Sequence, residues 1–139
     1  MTAKQYLMRV RRVDKEINSL LMTIAETRDK LTKITQTYAG DGVQSTKDPH
    51  KYDRLVELES LCDDLIDKQL EIKAEILRAI EQLEDRRYRL VLKEYYVDCK
   101  TWEQVAVDLN FSYMHVMRLH GYALNKIKDV IECYTDSAV

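Results

Sequence analysis

Apolar positions fall into two long helical patterns followed by one compact one. Tyr6, Val10, Val13, Ile17, Leu20, Ile24, Leu31 and Ile34 recur at spacings of four and three, with Thr27 in the one polar slot. That spacing predicts a helix carrying a heptad seam over about four repeats. Leu55, Leu58, Cys62, Leu65, Gln69, Ile72, Ile76, Ala79 and Leu83 repeat the pattern. Leu61, Ile66, Leu70, Leu77 and Ile80 widen this second face beyond what one neighbouring helix covers. Between the seams, AGDGVQSTKDP (residues 39–49) holds two of the three glycines and the only proline, which predicts a loop at about 39–50. Each helix runs for about 30 residues, on the order of 45 Å, so the simplest arrangement is an antiparallel hairpin. Gln69 in the seam and the surplus apolar face point to pairing between chains as well, because a polar seam residue can fix register or oligomeric state.

The third pattern is short-range. Thr101 followed by Gln104 is a capping box, which fixes a helix start and puts Val105, Ala106 and Leu109 on one face. Ala106 is small enough for a second helix to cross close against it. Asn110 tolerates the left-handed backbone that ends a helix, Phe111 fills the gap between the helices, and Ser112 caps the next one. Val116, Leu119, Ala123, Leu124 and Ile127 then form a buried face, which leaves Tyr113, Met114, His115, Met117 and Arg118 outward. Two helices joined this way make a helix-turn-helix. Gly121 in mid-helix predicts a close neighbour, and Trp102 is expected to pack rather than to stack on bases.

Leu90, Val91, Leu92, Tyr95, Tyr96, the segment TWEQVAVDLNFS, Val116, Ala123 and Leu124 together resemble region four of bacterial sigma factors, which binds promoter DNA. With SYMHVMRLHGYAL behind a coiled-coil arm, the closer resemblance is to phage late transcriptional regulators of the ArpU and RinA type, over roughly residues 83–131. The resemblance implies a transcription activator rather than an enzyme, with the start of the second helix in the major groove. The expected DNA-contacting residues are Ser112, Tyr113, Met114, His115, Met117 and Arg118. Arg118 offers a planar fork for guanine or phosphate. Arg86, Arg87 and Lys100 add charge beside them, with Arg89, Lys126 and Lys128 in the same neighbourhood.

Composition sharpens this picture only in places. Three glycines and one proline in 139 residues, with 45% hydrophobic content, predict an all-α fold. The expected division is a helical arm at 1–81, a helix-turn-helix domain at 82–133 and a tail at 134–139. Twenty-two basic against 24 acidic residues give a net charge of −2, so any DNA-binding surface is a local patch. Cys62, Cys99 and Cys133 are widely spaced with no signal peptide before them, so a reducing cytosol is expected and a disulfide framework is not; the resemblance implies the cytoplasm of a bacterial host. No apolar run is long enough to span a bilayer. The acidic run Asp63, Asp64, Asp67 and Glu71 reads as a solvated strip, and His115, His120 and Cys133 match no zinc-ligand spacing. With no phosphate loop, nucleophile elbow or metal-spaced grouping, no enzyme and no cofactor are expected. The expected partners are double-stranded DNA, a second copy of the chain and host RNA polymerase. Two other functions fit parts of the pattern: a protein-interaction module contacting the polymerase or another regulator, and a packaging-site binder like the small terminase subunits.

Overall fold

A computed structural model describes residues 1–41 and 50–137, with side-chain surroundings described for 1–33 and 50–133. Five α-helices follow one another: α1 (Ala3–Asp41), α2 (Asp53–Glu81), α3 (Arg86–Leu92), α4 (Trp102–Leu109) and α5 (Tyr113–Ser137). A π-helical turn, Lys93–Val97, extends α3, and there is no strand among the described residues. The all-α expectation holds. Most of the expected loop, residues 42–49, lies outside the described residues. The helical backbone of α5 continues to Ser137, through most of the stretch expected as a tail. Among the described residues no helix is long and apolar enough to cross a membrane.

The chain divides into two compact units, residues 15–68 and residues 1–14 with 69–139. In the first, Ile17, Ile24 and Cys62 are buried, and Arg28 of α1 pairs with Glu59 of α2. In the second, the start of α1 lies antiparallel to the end of α2: Tyr6 donates its hydroxyl proton to Glu75 at 2.7 Å, and Arg9 pairs with the same carboxylate at 3.2 Å. Gln69 is the one buried polar residue among those described. Its amide donates to the Asp14 carboxylate at 3.2 Å and lies 3.5 Å from the Val10 carbonyl, so the seam glutamine finds its partners within the chain.

The core of this second unit joins the root of the arm to the helices that follow it. Tyr6, Leu7, Val10, Ile76, Ala79, Ile80 and Leu83 pack in one cluster with Leu92, Tyr96, Val97, Ala123, Ile127 and Ile131. A seven-residue α3 and an eight-residue α4 bury too little apolar surface to stand alone, and the root of the hairpin supplies the rest. Arg11 ties the same parts together: one Nη donates to the Tyr95 carbonyl at 2.8 Å and the Lys100 carbonyl at 3.2 Å, and the guanidinium lies 4.1 Å over the Tyr95 ring. Those carbonyls flank Cys99, whose φ of 58° is the left-handed conformation that turns the chain out of the π turn.

Candidate nucleic-acid interface

The residues around α4 and the start of α5 fold by local rules. Thr101 Oγ1 accepts from the Gln104 amide at 3.2 Å while Gln104 Oε1 accepts from the Thr101 amide at 2.9 Å, completing the capping box. Asn110 takes φ 57° and ψ 38°. Its N–H donates to Val107 at 3.2 Å and that of Phe111 to Ala106 at 3.0 Å, the paired bonds of a Schellman motif. Phe111 then packs over Ala106 in a second core cluster with Val91, Val105, Val116 and Leu119. Ser112 Oγ accepts from the His115 amide at 3.1 Å and so caps α5. The turn therefore aims α5 with its inner face on Ala106 and its outer side in solvent.

The expected contact residues divide into two groups. Tyr113 is 46% exposed, Met114 63%, and Arg118 is exposed with no hydrogen bond or ion pair among the described residues. Arg86 is exposed at the head of α3. His115 and Met117, expected outward, are half-buried: the His115 ring meets Phe111 edge-on at 4.7 Å, and Met117 packs against the second cluster. A position on the flank of a helix faces its own turn as much as solvent, and Phe111 folds back against His115. Ser112 is engaged as a cap.

Two of the supplementary cations are engaged inside the chain. Lys100 lies 3.2 Å from Glu94 and 2.7 Å from Asp108, and hydrogen bonds to Asp108 and then Glu94 raise its pKa. Between two carboxylates it offers a polyanion no net positive charge. Arg87 turns back to Asp85, the cap of α3, at 3.0 Å, which raises the Arg87 pKa and holds the Asp85 carboxyl below its ordinary value.

Behind this surface lies an aromatic cluster that sequence spacing did not bring out. Tyr95 stacks on Trp102 with ring centroids 3.6 Å apart and planes 6° from parallel. His120 sits against both Trp102 and Tyr96, and the Tyr96 hydroxyl lies 2.6 Å from its Nε2. Burial, then the charge of Lys4, pushes the His120 pKa down to about 4, so near neutral pH the imidazole is uncharged and accepts the tyrosine proton. Burial pushes the Tyr96 pKa upward. Trp102 is a packing residue, as its place after the cap implied. Gly121 corrects an expectation: a Cβ built there meets nothing within 4 Å, so no neighbour explains it.

Among the described residues no group of His, Cys, Asp and Glu assembles into a metal site. Searches of the curated proteins and of the solved structures found no match. Residues 30–128, from the far part of α1 through the exposed start of α5, match the model of the family described as "Protein of unknown function (DUF1492)", and the chain belongs to that family.

Proposed function

We propose that this protein is a sequence-specific DNA-binding regulator of phage or prophage late genes, of the ArpU and RinA type, acting in the cytoplasm of a bacterial host. The observation that carries the reading is the start of α5: capped by Ser112, crossed against Ala106, with Tyr113, Met114 and Arg118 free on the outside. A helix held by its inner face with its first turns exposed has the shape that enters a major groove. Arg118 supplies specificity there, Tyr113 a hydroxyl for phosphate, and Met114 an apolar contact for a thymine methyl. Lys100 and Arg87 serve the fold first, and Arg86 carries the outlying charge. The arm pairs with a second copy: Leu21, Met22, Val56 and Leu61 are exposed in the unit of residues 15–68, an apolar surface that a monomer leaves wet.

Selection of cognate genomic fragments retained by the full chain tests the reading, with light scattering on the same sample. A recurring sequence upstream of late genes and a small oligomer are expected. Failure to enrich any sequence would remove the assignment, and a ring of many subunits would favour a packaging role. A second reading, a module that docks on RNA polymerase, draws on Val107, 75% exposed, and Tyr122 as apolar companions of Met114. Under that reading the binding partner is protein and salt has little effect.

A further inference from the structure

Gly121 lies inside α5, where glycine is the least favourable residue short of proline because it adds conformational freedom to the unfolded chain and no contacts to the folded one. Nothing among the described residues requires it. The position is exposed, it lies within continuous helix, and a Cβ there would meet no neighbouring atom within 4 Å. Met114 and Arg118 precede it by seven and three residues and Asn125 follows by four, spacings that share one side of a helix. All three are exposed. The bare backbone therefore lies in the outward stripe assigned to DNA.

We infer that Gly121 is a contact point of the DNA-binding surface, left without a side chain so that a sugar-phosphate strand lies directly against α5 one turn beyond Arg118. The inference rests on the proposed function. Gly121 is about 12 Å along the helix axis from Tyr113. That exceeds the depth of the major groove, roughly 8.5 Å, so a helix entering tip-first has the bounding sugar-phosphate strand beside this residue. Exposed Lys128, seven residues on and on the same side of the helix, adds positive charge for that strand. Close approach of a backbone is what glycine permits and a side chain obstructs.

The test is a pair of measurements on the full chain, with Gly121→Ala and Gly121→Gln beside wild type. One is a thermal melt; the other is fluorescence anisotropy against labelled double-stranded DNA of random sequence at low salt, a probe that reads phosphate contacts. Gly121→Ala should melt about 3 °C higher, since it gains helix propensity at an open position. Its DNA affinity should fall about tenfold, and that of Gly121→Gln further. Opposite movement of stability and affinity is something a purely structural glycine does not produce. Unchanged affinity in both variants, with wild type binding, overturns the inference and leaves the DNA reading standing. A lower melting temperature for Gly121→Ala also overturns it, because the protein itself would then be excluding the side chain. Absence of wild-type binding removes the DNA reading and this inference with it.

Discussion

Changing Tyr96 to Phe removes a single oxygen from the cluster behind α5. Tyr96 is fully buried, and its hydroxyl lies 2.6 Å from His120 Nε2. The variant keeps the ring and its packing but leaves a partly buried acceptor unsatisfied, which costs about 1–3 kcal/mol in general. His120 is only half-buried, so the lower half of that range applies, about 1.5 kcal/mol. With a urea slope of about 2 kcal/mol/M, the unfolding midpoint moves down by about 0.7 M. Trp102, the only tryptophan, lies in the same cluster, so its fluorescence follows the unfolding of the unit that holds it. Repeating Tyr96→Phe in a His120→Leu background completes a double-mutant cycle, and the coupling should be about 1 kcal/mol. Zero coupling, with Tyr96→Phe costing the same in both backgrounds, would refute the hydrogen bond as the reason for the pair.

Three further outcomes follow from the same structure. As pH falls from 6.5 towards 4, the unfolded chain takes up a proton at His120 that the folded chain refuses; stability is full above that window and declines through it by about 2 kcal/mol after discounting partial exposure, and His120→Leu should lose this part of the pH dependence in urea titrations. Asn110→Gly should leave the urea midpoint at or slightly above wild type, whereas Asn110→Val, forced to φ 57°, should cost about 1–2 kcal/mol or more. Lys100→Ala should change DNA affinity far less than Arg118→Ala in anisotropy titrations, because Glu94 and Asp108 already offset its charge.

What was legible in the sequence was what short-range rules determine. Thr101 with Gln104, Asn110, Phe111 and Ser112 act over three to five residues, and each does in the structure what its chemistry implies. The seams were legible because Tyr6, Val10, Ile76 and Ala79 bury themselves through periodicity alone. Long-range electrostatics was not. The contacts from Arg11 cross 84 and 89 residues to reach Tyr95 and Lys100, and Lys100 meets Glu94 and Asp108 across a left-handed turn at Cys99 that no periodicity marks. The unit boundary was hidden for the same reason: a heptad pattern tells which face of α2 is buried, not that its last turns are buried by α5. His115 and Met117 lay at the edge of the outward sector, where Phe111 covers the one and the second core cluster the other.

The proposed DNA binding depends most directly on the exposed start of α5. Binding of the selected DNA is to be titrated across a salt series with wild type, Arg118→Ala and Tyr113→Ala. Affinity should fall linearly on logarithmic axes with a slope of about −0.9 per phosphate neutralised. Arg118→Ala should weaken binding by the worth of one specific contact, about 1–3 kcal/mol. Binding indifferent to salt, or undiminished in both variants, would contradict the account.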